Sequence, residues 1–146
     1  MINAATITRA METLLRADAT VGGYTIERGE YVNMDMDRVP WVGIYRGDMV
    51  YDVQTLGRGA NNWKAEFPIK VIVQSATSKG NANDAEDDLE EYIRAVLDAV
   101  VLDKTIGGTV AMVTGITIEY SFNETESETV YFQNAEISIL TEVRTS

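Results

Sequence analysis

The sequence contains no cysteine and no histidine. The missing cysteine excludes disulfides, thiol nucleophiles and zinc–thiolate sites. The missing histidine removes the side chain that most often acts as a general base near neutral pH. Positive charge is also scarce, because 12 Lys and Arg stand against 23 Asp and Glu for a net charge of −11. That balance favours solubility and argues against binding nucleic acid over a broad basic surface.

Long apolar runs are lacking as well. None reaches the roughly 18 residues of a membrane-spanning helix, so we expect no membrane segment. The opening "MINAATITRAMETLL" has no charged start followed by an apolar block, so it does not predict a secretory signal. What is present is a chain of 146 residues with 45% apolar composition. Residues 1–146 are therefore predicted to fold as a single domain around one core.

The first half of the chain predicts a helix followed by short strands. Apolar residues at i, i+4, i+7 and i+8 predict an amphipathic helix from Thr6 to about Ala19, which ends before Gly22–Gly23. A short strand is predicted at 24–27 and another at 39–45. Arg46-Gly47-Asp48 is a predicted turn, "MVYDVQTL" a returning strand, and "GRGANNWK" a loop.

The second half predicts a strand, a long helix and a hairpin. Apolar residues alternate over Phe67 to Gln74, which is the period of a strand, and "SATSKGNAN" is a predicted linker. A helix is predicted over 84–102, capped by Asn81 or Asn83. Strands at 109–122 and 128–143 predict an antiparallel hairpin with one wet side. Together these elements predict an α+β fold, with two helices packed on one face of a mainly antiparallel sheet and an extended β-hairpin.

The sequence motifs do not predict a catalytic, metal or nucleotide site. "NMDMD" places Asn33, Asp35 and Asp37 at alternate positions, as at the start of a calcium loop. Such a loop needs Gly at its sixth position and Glu at its twelfth, where this chain has Arg38 and Ile44. The glycines of "GRGANNWK" match neither phosphate-loop nor dinucleotide spacing. We predict no catalytic residue, no metal ligand and no cofactor.

Acidic residues are concentrated at the start of the long helix. Carboxylates in a first turn are stabilised by the helix dipole, by about 0.3–1 kcal/mol each. This explanation covers Asp84, Glu86 and Asp87 but not Glu90 and Glu91 further on. For Glu90 and Glu91, the solvated face of an amphipathic helix and a functional role are equally open.

Aromatic residues are concentrated in the region of the first hairpin. Trp and Tyr are favoured anchors of protein interfaces, and an extended hairpin has little core of its own. Core and interface are equally open for Trp41 and Tyr45, whereas Trp63 in its polar loop favours an interface. The predicted subunit or tube interface comprises Trp41, Tyr45, Tyr51, Arg58 and Trp63.

The order of elements resembles a known family. An opening helix leads through Gly-Gly to "WVGIYRG", a hairpin loop and "FPIKVIVQSATSKGNANDAEDDLEEYIRAVLDAV", and then to "ITIEYSF" and "NAEISILTEV". This layout resembles the tail terminator, or tail completion, proteins of long-tailed bacteriophages and related tail-like particles. The resemblance spans nearly the whole chain and rests on element order rather than on a sharp motif.

The resemblance implies a structural virion protein without catalysis. Such proteins form a homo-hexameric ring on the last ring of the tail tube, stop its polymerisation and meet the neck or head connector. The implied location is the head–tail junction of a virion assembled in the bacterial cytoplasm. DNA would pass through the lumen without specific binding. The acidic residues proposed for the lumen or rim are Asp84, Glu86, Asp87, Asp88, Glu124 and Glu126.

Three alternatives remain open. Another head–tail connector or neck component would share most of these features. A calcium or small-ligand module would use Asp35, Asp37 or the acidic helix start. An enzyme with carboxylate chemistry alone ranks last, because no candidate group accompanies the carboxylates.

Overall fold

The computed structural model describes residues 3–29, 33, 35–52, 63–78, 82–124 and 130–145. It contains two long helices and six strands, which confirms the predicted α+β class. The helices are α1 (Ala4–Ala17) and α2 (Ala82–Leu102). The strands are β1 (Thr25–Arg28), β2 (Trp41–Arg46), β3 (Val50–Tyr51), β4 (Trp63–Ser78), β5 (Met112–Glu124) and β6 (Val130–Thr145).

The strands form one open sheet in the order β1-β2-β4-β6-β5, and β3 pairs with β4 off this path. Among the described strands, β1 and β2 pair in parallel and the other pairs are antiparallel. The centre of the sheet is the β4–β6 ladder, which runs from Trp63↔Thr145 to Ser78↔Val130. The mainly antiparallel sheet is thus confirmed, with β1 and β5 at its two edges.

Both helices share one core on one face of the sheet. Alternate residues of β4 and β6 turn towards the helices because side chains alternate along a strand. Helix α1 packs on β1 and β2, and α2 packs on β4 and β6. The main apolar residues of this core are Ile7, Met11, Leu15, Phe67, Ile69, Val71, Val73, Leu89, Ile93, Val96, Val100, Ala135, Ile137, Ile139 and Val143, all nearly inaccessible to solvent.

The helix boundaries differ slightly from the prediction. Helix α1 begins at Ala4, earlier than predicted, because the Asn3 side chain accepts hydrogen bonds from the amides of Ala5 and Thr6. Helix α2 begins at Ala82, so Asn83 lies inside it and is not its cap. Asn81, the other predicted cap, lies outside the described residues.

The predicted linker after β4 is wrong in its first half. Strand β4 continues through Ser78. The buried hydroxyl of Ser75 donates a hydrogen bond to the carbonyl of Ala85, 2.6 Å away. Small polar residues resemble a linker in sequence, but here one of them joins the end of a strand to the first turns of the next helix.

The predicted turn at 46–48 does not fold the following strand back onto β2. Strand β3 pairs with the following strand, Val50↔Glu66 and Tyr51↔Ala65, and not with β2. The Gly47 amide donates to the carbonyl of Pro68, so the chain continues along the same edge of β4 that β2 occupies. The extended hairpin is therefore formed by β3 and the start of β4.

The face of the sheet opposite the helices is only partly exposed to solvent. Phe132 and Asn134 lie on the side of the hairpin that was predicted to face solvent, yet both are buried. Asn33 covers this end of the face: its side-chain amide donates to the Gln74 side chain, and the Gln74 amide donates back to the Asn33 carbonyl. Glu136 and Ser138, further along β6, remain accessible.

A tight loop fixes the start of β5. The carboxylate of Asp103 accepts hydrogen bonds from the amides of Thr105 and Gly107 and from the Thr105 hydroxyl. The side-chain bond from Thr105, followed by the amide bonds, lowers the pKa of Asp103. Ile106 has φ 49°, uncommon for a branched residue, yet its side chain is fully buried. The loop thus anchors the chain between α2 and β5.

Candidate functional site

Trp41, predicted as either core or interface, lies in the interior. Its side chain is 1% exposed, and it packs over Gly43, where an added Cβ would lie 2.4 Å from the indole ring. Its indole N–H has no hydrogen-bond partner among the described residues. Tyr45 follows on the same face of β2 and is half-buried. Of the two, only Tyr45 presents surface that a partner could contact in this conformation.

The hairpin residues are only partly described. Tyr51 is half-buried and packs against the core from β3. Arg58 lies outside the described residues, as does the side chain of Trp63, whose backbone pairs with Thr145. The interface prediction for Tyr51, Arg58 and Trp63 therefore stays a prediction.

The stem of this hairpin is joined to β6. The Lys64 ammonium lies 3.1 Å from a carboxylate oxygen of Glu142, and Arg144 lies 3.1 Å from the same oxygen. The hydrogen bonds from Lys64 and then Arg144 lower the pKa of Glu142. A shallow cleft of about 260 Å³ lies beside the stem, between Val50 and Glu66. These ion pairs thus fix the described stem of the hairpin to β6.

The acidic start of α2 lies at the surface. Asp84, Glu86, Asp87 and Asp88 are all exposed. The side chain of Glu124 and all of Glu126 lie outside the described residues. In the part of the chain that the structure describes, no three carboxylates come together as a metal site. These four acids form a charged, exposed ridge at the start of the helix.

The segment that resembles a calcium loop forms a local turn. The Asn33 side chain accepts from the Asp35 amide, and the Asp35 side chain accepts from the Asp37 amide. The Asn33 side chain is buried against Gln74. These bonds account for the alternate polar spacing without a ligand.

An exposed apolar surface beside the last helix was not predicted as a site. Ile116, Tyr120 and Phe122 of β5 are 39%, 58% and 65% exposed, and Val101 at the end of α2 is 57% exposed. We call these four residues the β5 shelf. The β5 residues face the helix side of the sheet, because Ile116 pairs with the buried Ile139. They belong to the core face but extend beyond the helices that cover it.

Helix α2 forms one wall of the β5 shelf. The Tyr120 hydroxyl donates a hydrogen bond to the Glu90 carboxylate; this bond, followed by burial and by the Glu90 charge, raises the pKa of Tyr120. Glu90, Leu97 and Val101 are spaced i, i+7 and i+11, so they share one side of α2. The shelf therefore has an apolar floor from β5 and a wall that combines apolar and acidic side chains.

A sequence signal for the shelf was present. "ITIEYSF" alternates apolar and polar residues, which predicts a strand with one buried face. The pattern cannot show that the helices stop short of this strand. Sheet order decides that, and it depends on contacts distant in sequence.

The opposite edge of the sheet contains a cleft of different character. It has a volume of about 280 Å³ and lies between α1 and the ends of β1 and β2, lined by Ala5, Arg28, Tyr45 and Arg46 among others. Arg28 and Arg46 are exposed, and Arg9 is exposed on α1, four residues after Ala5. Arg28 is paired with Glu12 of α1, whose carboxylate oxygen lies 3.8 Å from its guanidinium nitrogen. We call this region the α1–β1 edge, defined by Ala5, Arg9, Arg28, Tyr45 and Arg46.

The fold is similar to that of a solved structure. Aligned over 99% of this chain, it is similar to the sheath/tube terminator of an extracellular contractile injection system, PVC, in its extended state, with a TM-score of 0.50 and 14% identity. This chain therefore shares the fold of that terminator. It spans 57% of that longer protein. The resemblance inferred from element order is thus confirmed at the level of the fold.

A second similar structure is a chain of the virion of a native gene transfer agent particle. It is 14% identical, with a TM-score of 0.48, over 97% of this chain and 99% of its own. No protein-family model matches the sequence, and the search of curated proteins found no match. Among the described residues, neither helix is long and apolar enough to cross a membrane.

Proposed function

We propose that this protein is a tail terminator. In this proposal six copies form a ring on the end of a tail tube, stop its polymerisation and offer a surface to a neck or head connector. The observation that supports it is the terminator fold, which extends over 99% of the chain. Because the chain spans little more than half of that similar protein, its partners and its location in a virion assembled in a bacterial cytoplasm are part of the proposal.

The surfaces of the chain suit a building block. A ring requires a heterologous contact, in which one face of each subunit meets a different face of the next. The exposed apolar β5 shelf and the α1–β1 edge, which carries charged side chains, are two such unlike faces. The β3–β4 hairpin, with Tyr51 at its stem, is our candidate for contact with the tube.

The charge of the chain suits a ring through which DNA passes. Asp84, Glu86, Asp87 and Asp88 form the exposed ridge at the start of α2, and we place this ridge at the lumen or rim. A negative lumen repels phosphates, so DNA can pass without being held. Glu124 and Glu126 are proposed to add to the same surface.

The test combines assembly with capping. We expect native mass spectrometry to show a hexamer, either alone or with tube protein present. We also expect that adding the protein to polymerising tube protein shortens the tubes seen by negative-stain microscopy. A chain that remains monomeric over a wide concentration range and leaves tube length unchanged contradicts the proposal.

The lumen assignment has its own experiment. In the variant Asp84→Asn, Glu86→Gln, Asp87→Asn, Asp88→Asn, four negative charges are removed from an exposed ridge, so the fold and ring should be retained. We expect DNA to be retarded more strongly by the variant ring than by the wild type in a gel-shift assay at low salt. The control is Asp35→Asn, Asp37→Asn, which removes exposed charge elsewhere. Equal retardation by both variants contradicts the assignment.

A further inference from the structure

The two edges of the sheet differ in how their outward backbone groups are used. At β1, the amides of Thr25 and Gly29 donate towards β2, so the carbonyl of Ile26 between them points away from the sheet. That carbonyl accepts a hydrogen bond of 2.6 Å from the Arg16 guanidinium of α1. The β1 edge has only four residues and is therefore both short and capped by a side chain of the same chain.

At β5, the first residues of the edge are occupied and the following ones are open. The amide of Val113 donates to the carbonyl of Lys104 in the preceding loop, and a bulge follows between Val113 and Gly115. From Gly115 to Ser121, the described part of the chain pairs with the backbone of β5 on the β6 side alone. We call the stretch from Gly115 to Ser121 the open β5 edge.

The sequence of β5 does not protect this edge. The strand contains neither lysine nor proline. Native proteins usually blunt an exposed edge with such residues, because free backbone groups pair with strands of other chains. The side chains on the helix face of the edge are also apolar and accessible, as Ile116 and Tyr120 show. The open β5 edge thus offers both backbone groups and apolar side chains to a neighbouring strand.

We propose that the open β5 edge pairs with the same edge of a second copy of this chain, antiparallel and about a two-fold axis, so that two sheets join into one. The proposal goes beyond the proposed function, because it concerns the free chain and does not depend on capping. A two-fold contact uses the same surface on both copies and is closed at two. It covers an edge that would otherwise direct uncontrolled strand addition.

The edges that the chain itself offers select the occupant. A strand that adds to β5 needs an unused edge of its own. Among the described strands, β2, β4 and β6 lie inside the sheet, β1 is short and capped by Arg16, and β3 has two residues. Strand β5 is therefore the described strand that can pair along an extended edge, and a two-fold axis lets it pair with its own copy.

The side chains of β5 complement themselves in this arrangement. The midpoint of the open β5 edge is Ile118, so full overlap of two copies places Ile118 at the axis. Ile116 then lies opposite Tyr120 of the second copy, and aromatic and β-branched residues form favourable cross-strand pairs. On the polar face, Glu119 lies opposite Thr117 of the second copy. Like charges are therefore diagonal neighbours and are not directly opposed.

The helices leave room for this pairing. Helix α2 packs on β4 and β6, so β5 extends beyond it. With strands about 4.8 Å apart, the two α2 axes would be separated by four strand spacings, or roughly 19 Å. The exposed charged side chains on this side of α2, Glu90 and Arg94, therefore stay hydrated in the dimer. The pairing depends on backbone hydrogen bonds and apolar side chains, and it requires no ion pair between copies.

The first experiment measures backbone hydrogen bonding at the edge. We expect hydrogen–deuterium exchange over 115–121 to slow several-fold as rising protein concentration drives dimer formation, because pairing protects the amides that point away from β6. Exchange in β1 is the internal control and should not change. Sedimentation velocity measures the dimer in the same samples.

Three results of this experiment overturn the proposal. One is a chain that stays monomeric at every accessible concentration. Another is a dimer that forms without added protection at 115–121. The third is protection that appears only when tube protein is added, because another chain would then occupy the edge.

The second experiment introduces a charge that blunts the edge. In Ile116→Lys, the ammonium would lie opposite Tyr120 of the second copy, so we expect the dissociation constant of the dimer to rise about tenfold or more. The matched control is Leu102→Lys, the same change at an 83% exposed apolar residue that turns about 100° further around α2 than Val101. Thermal melting checks that each variant is folded. Equal effects of the two variants, or none from the first, overturn the proposal.

The third experiment tests the two-fold arrangement. Because the chain has no cysteine, Thr117→Cys on β5 introduces a single reactive site. In the proposed register, the two copies of residue 117 are diagonal neighbours roughly 7–8 Å apart, so a short bismaleimide should cross-link Thr117→Cys to itself. The control for random collision is Thr13→Cys, at an exposed position of α1. Cross-linking at 117 that is no more efficient than at 13 overturns the proposal.

The outcomes separate this contact from the proposed function. A chain that dimerises with protection at 115–121 but leaves tube length unchanged supports the contact while the capping role fails. A chain that caps tubes but shows no concentration-dependent protection at 115–121 overturns the contact while the capping role stands.

Discussion

Strands β5 and β6 form one hairpin and have the same alternation of apolar and polar residues, yet their apolar faces differ in environment. In β6, Ile137 and Ile139 are fully buried under α2. Their partners across the ladder are Ile118 and Ile116, and Ile116 is 39% exposed. A period of two thus predicts which residues share a face, but not whether that face is covered within the same chain.

The largest effect expected from this difference concerns stability. Ile139→Ala removes a fully buried side chain, and we expect it to lower the free energy of unfolding by about 2–5 kcal/mol. Ile116→Ala, at the paired position of β5, should cost less than about 1 kcal/mol in the dissociated chain. Urea unfolding at a concentration where the wild type is monomeric provides both values.

Assembly should change the stability cost of Ile116→Ala more than that of Ile139→Ala. If neighbouring copies cover the β5 shelf, the cost of Ile116→Ala should grow as protein concentration rises, because subunits that bind the folded state stabilise it. The cost of Ile139→Ala should change much less. Equal costs for the two variants in the monomer would show that something covers β5 within the chain.

Local signals predicted much of this molecule. The spacing of Ile7, Met11 and Leu15 predicted α1, and the alternation from Phe67 to Val73 predicted the core part of β4; both sets are buried. These features depend only on residues close in sequence. The α+β class then followed from the order of the elements.

These short-range patterns could not predict contacts between residues that are distant in sequence. The burial of Asn33 depends on Gln74, which is 41 residues away, and the partner of β3 depends on which edge of β4 is available. The β5 shelf depends on sheet order and on where the helices pack. Hydrophobic periodicity contains none of this information, so the acidic helix start was predicted as a site while the apolar shelf was not.

A smaller loss of stability is expected when a buried hydroxyl group of β6 is removed. The Thr141 hydroxyl of β6 is buried and donates to the Phe67 carbonyl at 2.6 Å. Thr141→Val should lower the free energy of unfolding by about 1 kcal/mol. The control is Thr114→Val on β5, where an exposed hydroxyl donates to Leu140 at 3.3 Å and the change should stay within about 0.5 kcal/mol. A larger loss at Thr114 would contradict the ranking of the two strands.

Strand β6 is also held on its polar face, and this should show in the pH dependence of stability. The pKa of Glu142 is lowered by Lys64 and then Arg144. A carboxyl with a lowered pKa in the folded state contributes stability above its unfolded pKa and loses it as pH falls through the folded pKa. Acid should therefore destabilise the wild type slightly more than Glu142→Gln, measured as thermal midpoints at neutral and acidic pH. Identical acid sensitivity would show that the ion pairs at this exposed site contribute nothing measurable.

The smallest effect is expected at Tyr120 on β5, where the hydrogen bond to Glu90, then burial, then the Glu90 charge raise the pKa of the phenol. A raised pKa in the folded state means that the associated stability is complete below the unfolded pKa of tyrosine and is lost as pH rises through the folded value. Carbon-13 NMR titration of labelled tyrosines should show Tyr120 titrating lower in Glu90→Gln than in the wild type. Glu91→Gln, one residue further along α2, should leave the pKa of Tyr120 unchanged if the hydrogen bond is the main cause. Equal shifts in both variants would instead assign the effect to the general negative charge of the helix, and Glu90 would no longer define the wall of the β5 shelf.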